Sequence, residues 1–375
     1  MPPHIAIILP PKEQYSAQQK GAVALCMADF TRHSRYRENT IFLGHTEADF
    51  DGLHYHRLQR WQRWYWRNSY AYARTCAKWI LRQNISHVEV QNRPVIFRYL
   101  AKLLPNHIAL TLHLHNDLQE MRWFTSAHAR EWVLKRAAAV YCVSDYIRQR
   151  LLQGIPDRHG VHDKAVVIHN GIDTQRFVPE DKTHTILYVG RIIREKGTLP
   201  LAEALSIIAP LLPDWEFVLC GVDRLTVVSD YERATHAWLA KAGTQCRYTG
   251  YLDHNEIMQQ FARAAIAVVP SVWQEPFGRT ALEALCAGAA VLTSGSGGLA
   301  EVVADAGMTV PNNPAESFAQ NLANALLKLA TDDDFRVNLQ QAGRQRAVKH
   351  FDIRRQAALL DDWRQRIQHD KQRIN

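Results

Sequence analysis

The chain has 375 residues, 47% of them hydrophobic and 22% charged, with 45 Lys+Arg against 37 Asp+Glu for a net charge of +8. The length predicts two domains, and a composition with only 18 Gly and 15 Pro excludes collagenous, low-complexity and disordered classes. The six cysteines (Cys26, Cys76, Cys142, Cys220, Cys246 and Cys286) include no Cys-x-x-Cys pair, which argues against a disulfide scaffold or a zinc site and fits a reducing compartment.

Residues 5–9 open the chain as a strand-like run, without the basic-then-apolar layout of a signal peptide, and no 18-residue apolar run follows. A cytoplasmic protein is therefore expected. Further β-branched runs fall at 40–43, 87–90, 108–114, 139–143 and 165–168. In the second half they fall at 185–189, 216–220, 246–249, 265–269, 290–293 and 308–310. Helical patterns separate them. Strands alternating with helices imply parallel sheets covered by helices, and two such series imply two doubly wound α/β domains. The boundary is expected within 175–185, giving domains at 1–178 and 179–352. A charged amphipathic helix with Leu359, Leu360 and Trp363 on one face is expected over 353–375. The acids at 332–334 read as a helix start rather than a metal site.

The charge is unevenly placed. Residues 1–178 hold 24 basic and 14 acidic side chains, whereas 179–375 hold 21 and 23. Much of the surplus lies in 56–82, where Arg57, Arg60, Arg63, Arg67, Arg74, Lys78 and Arg82 occur with no acid at all. Trp61, Trp64, Trp66 and Trp79 are interleaved with them. On a helical stretch, cations and indole rings suit an anionic membrane interface, and Arg57, Arg60, Trp61, Arg63, Trp64, Trp66 and Arg67 are the candidate surface. A helix packing its Trp residues inward with a solvated Arg face is the plainer alternative. Nucleic acid fits less well, because no recognised nucleic-acid motif accompanies the patch.

The turn after the first strand lacks Gly-x-Gly-x-x-Gly and offers only Lys20-Gly21, which argues against a nicotinamide or flavin enzyme. Gly21 by itself could admit a ligand to the backbone or could simply make a turn. After the run at 185–189 come Gly190-Arg191 and Glu195-Lys196-Gly197. Two cations at a strand end suit a diphosphate, since Arg grips oxygen pairs and Lys adds a point charge. After 265–269 come Glu275-Pro276-Phe277-Gly278, and then a helix containing Glu283. Amides at such a helix start favour an anion. The two carboxylates can each accept paired hydroxyls of a sugar or ribose, and Glu283, set in an apolar run, needs a partner.

These residues resemble the retaining glycosyltransferases of family 4, which have the GT-B fold of two Rossmann-like domains facing across a cleft. The resemblance rests on Glu275-Pro276-Phe277-Gly278 with Glu283-Ala284-Leu285 and Gly288, and on Val189-Gly190-Arg191 with Glu195-Lys196-Gly197. It extends to His169-Asn170-Gly171-Ile172-Asp173 with Phe177, to Tyr248-Thr249-Gly250-Tyr251-Leu252, and to the stretch around Phe351. In the first half His113-Leu114-His115-Asn116-Asp117 and Val143-Ser144 resemble it more loosely, and Glu89-Val90-Gln91-Asn92-Arg93-Pro94 resembles members that build bacterial cell-surface polysaccharide.

The resemblance implies that Arg191 and Lys196 bind the donor diphosphate, Glu283 the ribose and Glu275 the transferred sugar. The amides of Phe277 and Gly278 would contact sugar and phosphate, Gly21 would let the first loop approach the phosphates, and His115 would lie near the anomeric carbon. Strand alternation puts His113 and His115 on one face, so spacing does not choose between them; the resemblance favours His115. It implies a hexose or N-acetylhexosamine transferred from a UDP-sugar to a lipid-linked or lipopolysaccharide-type glycan, with no metal or other cofactor. It also implies a last helix that returns to the first domain. Peripheral contact with the inner face of an anionic membrane is expected from the charge. A sugar-nucleotide epimerase or phosphorylase of the same fold, and a non-catalytic protein binding an anionic surface or nucleic acid, are the alternatives.

Overall fold

The computed structural model describes residues 4–13, 21–45, 52–58, 69–222 and 228–374. The chain divides into two compact units, Met1–Gly171 with Ile353–Asn375, and Ile172–Asp352. The division falls at 171/172, inside the His169–Asp173 motif, rather than at 178/179.

The first unit contains a seven-stranded sheet of β1 (Ile5–Ile8), β2 (Thr40–Gly44), β3 (His54–Arg57), β4 (His87–Gln91), β5 (Ala109–Leu114), β6 (Val140–Cys142) and β7 (Ala165–Val167). Their order is β3-β2-β1-β4-β5-β6-β7, with every pairing parallel. Helices α1 (Ala22–Arg32), α2 (Ser69–Ile80), α3 (Pro94–Leu103), α4 (Ala127–Arg136) and α5 (Asp145–Leu152) follow strands in the doubly wound manner. All residues of β1, β4 and β5 are buried, as expected of a parallel sheet covered on both faces. The sequence reading does not find β3, whose residues His-Tyr-His-Arg are polar and half-exposed on the sheet edge. Arg57 therefore ends an edge strand instead of starting a helix. Within 56–82, α2 does form, with Tyr72, Ala73, Cys76, Ala77 and Ile80 buried while Arg74 and Lys78 are exposed.

The second unit holds β8 (Thr183–Val189), β9 (Glu216–Cys220), β10 (Cys246–Gly250), β11 (Ala264–Val269), β12 (Ala290–Thr293) and β13 (Met308–Thr309), in the order β10-β9-β8-β11-β12-β13 and again all parallel. Its helices are α6 (Thr198–Ile208), α7 (Asp230–Leu239), α8 (His254–Arg263), α9 (Arg279–Cys286), α10 (Leu299–Val303), α11 (Ala315–Thr331) and α12 (Asp333–Phe351). Asp332 caps α12 by accepting from the Phe335 amide at 3.1 Å, a helix-start role.

The final helix, α13 (Ile353–Ile374), belongs to the first unit. Its buried stripe is Ile353, Ala357, Leu360, Arg364 and Ile367, spaced by three and four. Leu360 and Trp363 pack on the core, but Leu359 is 39% exposed; it lies one residue, about 100° of helix, off the stripe.

Candidate active site

In an open parallel sheet, ligands bind beyond the carboxyl ends of the strands, where the strand order reverses. In the second unit that switch point lies between β8 and β11. Of the donor-binding residues picked out from the sequence, Arg191 and Lys196 follow β8, and Glu275, Phe277, Gly278 and Glu283 follow β11; Gly21 lies in the first unit.

The loop after β8 is shaped by close backbone approach. A Cβ at Gly221 (φ +134°) would fall 1.9 Å from the carbonyl oxygen of Gly190, and one at Gly197 (φ +67°) would fall 2.0 Å from that of Pro270, so neither position accepts a side chain. Tyr188 is buried, which pushes its phenol well above the ordinary range, and it donates to the Arg191 carbonyl at 2.7 Å. The Arg191 backbone is thus pinned while its guanidinium is exposed and makes no hydrogen bond or ion pair among the described residues.

The two loops are joined through the Glu195 carbonyl. It accepts from the amides of Val272 and Trp273 at 3.0 and 3.1 Å and lies 2.9 Å from the Ser271 hydroxyl. This brings Lys196 Nζ to 2.5 Å from Glu275 Oε1, with Ser271 Oγ 2.9 Å from the same oxygen. The Glu275 backbone is fixed as well: its carbonyl accepts from Gly298 N at 2.7 Å, and a Cβ on Gly297 would lie 2.3 Å from it.

Gly278 caps α9 with φ +109°, close enough to Leu299 that a Cβ would lie 2.5 Å from its Cδ2. Phe277 is 3% exposed and meets Phe351 edge-on, so its side chain is committed to the core and only its backbone can serve a ligand. Glu283 lies one turn into α9. Its required partner is Arg279, at 3.5 Å on the same helix face.

In the first unit, Gly21 is the N-cap of α1 with φ −65°, a backbone conformation open to any residue. The Glu13 carboxylate already accepts from the amides of Val23 and Ala24 at 3.0 and 3.1 Å, so an acid of the chain itself occupies that helix start. Lys20 lies outside the described residues. The two histidines part company. His113 is inside β5, buried, with Nε2 3.3 Å from Glu89. His115 lies just past the strand, half-buried, with Nε2 3.1 Å from Gln91 Oε1 and its amide donating to Asn92 Oδ1 at 3.2 Å. Arg60, Trp61, Arg63, Trp64, Trp66 and Arg67 lie outside the described residues.

Sequence reasoning missed several supporting residues. Arg279 stood inside the quoted motif without a role. Ser271, Ser294, Ser296 and Asn312 form a chain behind Glu275: Ser294 Oγ donates to the Ser271 carbonyl at 2.5 Å, and Asn312 Nδ2 donates to Ser296 Oγ at 3.1 Å. Single serines in loops carry no periodic signal. Only the glycines at 295, 297 and 298 mark the place where backbones approach.

Each unit is built on a Rossmann-like parallel sheet, the cations lie at the switch point of the second, and the architecture is that of a GT-B glycosyltransferase. Residues 172–346 match the family model "Glycosyl transferases group 1" and residues 18–176 match "Glycosyltransferase Family 4"; the chain belongs to these glycosyltransferases. It is 26% identical to the Bacillus subtilis (strain 168) protein YtcC over 355 residues, covering 86% of this chain and 83% of YtcC. It is 31% identical to the alpha-maltose-1-phosphate synthase of Mycolicibacterium smegmatis over 247 residues, 60% of this chain and 62% of that enzyme. Among solved structures, Anabaena Alr3699/HepE in complex with UDP superposes with a TM-score of 0.75 at 17% identity, over 96% of this chain and 98% of that one.

Proposed function

We propose that this glycosyltransferase is a retaining enzyme that moves a hexose or N-acetylhexosamine from a UDP-sugar to a lipid-linked or lipopolysaccharide-type glycan. The observation that carries the donor side is the convergence of Arg191, Lys196 and Glu275 on one switch point beside the start of α9. The exposed Arg191 guanidinium and the Lys196 ammonium would take the diphosphate, and Glu275 and Glu283 would take sugar and ribose hydroxyls. The UDP bound to Anabaena HepE supports a uridine donor. In the reaction the acceptor oxygen bonds to the anomeric carbon as the bond from that carbon to the diphosphate breaks. The acceptor proton passes to the leaving phosphate oxygen. Catalysis would rest on positioning and on cations and amides that meet the growing diphosphate charge.

His115, held by Gln91 and Asn92, is the first-unit residue proposed to face the reacting sugar. An anionic membrane surface is proposed as partner on the charge of 56–82. It predicts co-sedimentation with anionic vesicles that is lost when Arg60, Arg63 and Arg67 are replaced. The donor reading is tested by incubating the protein with a panel of nucleotide sugars and measuring free nucleoside diphosphate. Slow release from one donor, abolished by Glu283→Ala, is expected; neither binding nor hydrolysis of any donor would overturn it.

A further inference from the structure

At the opposite end of the first unit's strands from His115 there is a cavity of about 320 Å³ that has no part in the proposed transfer. It lies where β5, β6 and β7 begin, between the last turns of α3 and α4 and the end of α13. Its floor is apolar: Leu104, Ile108, Leu110 and Ile367 line it. Each keeps 6–9% exposure, although Leu112 and Leu114, further along the strand that holds Leu110, have none.

The rim is cationic. Lys135, Arg136, Lys164 and Lys371 line it against a single carboxylate, Asp370. Lys135 is paired with Glu131 at 2.6 Å, but the other three have donors to spare. Lys164 Nζ donates to the Ala137 carbonyl at 2.9 Å and reaches that of Lys135 at 3.4 Å, leaving one of its three protons. Lys371 Nζ spends one on the Asn106 carbonyl at 2.5 Å. Arg136 is exposed, and its guanidinium makes no hydrogen bond or ion pair among the described residues. Burial, and then the charge of Lys371, lower the Lys164 pKa, so the two ammonium groups repel one another over the cavity.

Converging cations above an apolar floor match a molecule with an anionic head and a hydrocarbon body. We propose that this cavity binds the phosphate head of an anionic lipid, with Arg136, Lys164 and Lys371 on the phosphate and the first acyl carbons against Leu104, Leu110 and Ile367. The site is independent of the donor reading and would hold the first unit at a membrane by a second contact, separate from the 56–82 segment.

Titration calorimetry with dihexanoylphosphatidic acid, kept below its micelle concentration, tests this. Saturable binding is expected, at least about tenfold tighter than that of dihexanoylphosphatidylcholine, whose choline adds a positive charge. The double variant Arg136→Gln/Lys371→Gln removes charge and leaves the Lys164 contacts intact. Ala101→Trp, on the α3 wall of the cavity, fills it and leaves every charge in place. Each is expected to weaken binding at least about tenfold while circular dichroism is unchanged. No saturable binding by the wild type would overturn the proposal, as would equal affinity in both variants. So would competition by inorganic phosphate as strong as that by the lipid, which would make this a bare anion site.

Discussion

The deepest test of how the first unit is held together is Arg364→Met. Arg364 is fully buried in α13 and makes a two-pronged pair with Glu89 of β4, at 2.7 and 2.9 Å; Asp361 and Ser34 lie 2.9 and 3.1 Å from its third nitrogen. Burial alone would push the Glu89 carboxyl up, but the Arg364 charge, helped by His113, outweighs it and holds Glu89 well below the usual carboxylate range. Removing the guanidinium leaves the buried Glu89 and Asp361 carboxylates without their counter-charge, which costs about 3–5 kcal/mol. With a urea m-value of roughly 2–3 kcal/mol/M for a unit of this size, the midpoint of its transition should fall by about 1–2 M. The double variant Glu89→Leu/Arg364→Met removes the Glu89–Arg364 pair, leaves Asp361 accepting from Ser34 Oγ and the Arg35 amide at 2.7 and 2.8 Å, and should recover at least about 2 kcal/mol of that loss. In the single variant burial raises the Glu89 pKa above its unfolded value. Folding then takes up a proton, and the deficit relative to wild type should narrow as pH falls through that raised value toward about 4.5. Urea unfolding followed by circular dichroism measures all three. Equal losses in the single and double variants, or a single-variant midpoint within 0.3 M (about 1 kcal/mol) of wild type, would refute the reasoning.

Four further outcomes follow from the site and from the core of the first unit. Glu275→Gln releases Lys196 from its 2.5 Å pair, so calorimetry should find nucleoside diphosphate bound as tightly as in wild type or tighter while sugar transfer falls at least about 100-fold. Lys196→Ala should weaken diphosphate binding instead. Gly197→Ala sets a Cβ 2.0 Å from the Pro270 carbonyl at φ +67°; it should cost about 2 kcal/mol and lower diphosphate affinity with it, and wild-type values for both would contradict the loop geometry. Burial pushes the His87 imidazole down to about 4, against the opposing charge of Glu89. The unfolded chain is therefore protonated first as pH falls. The His87 contribution is intact above about 6.5, is lost progressively toward about 4, and makes the protein roughly 2–3 kcal/mol less stable at pH 4.5 than at 7.5. A His87→Gln variant that kept the same pH slope would assign it elsewhere.

Much of this molecule was legible in its sequence. Hydrophobic periodicity is local, so strands buried on both faces such as β1, β11 and β12 announce themselves as apolar runs. The motifs at 190–197 and 275–283 are local too, and they carried the resemblance to glycosyltransferases. Edge strand β3 was not legible, because a strand with one exposed side and polar residues has no such run.

Tertiary structure decided what depends on contacts between distant residues. Lys196 meets Glu275 from 79 residues away, and Arg364 meets Glu89 from 275 away. No window of sequence contains both partners. The choice between His113 and His115 belongs here as well. Both follow the same alternation, and only the placement of Glu89 beside one and Gln91 beside the other separates a buried charge partner from a residue at the strand's end. Sequence determined which residue types stand after which strands, because that is a matter of order along the chain. The parallel sheet determined which of them meet, because strand order and register are set by packing among elements far apart in that order.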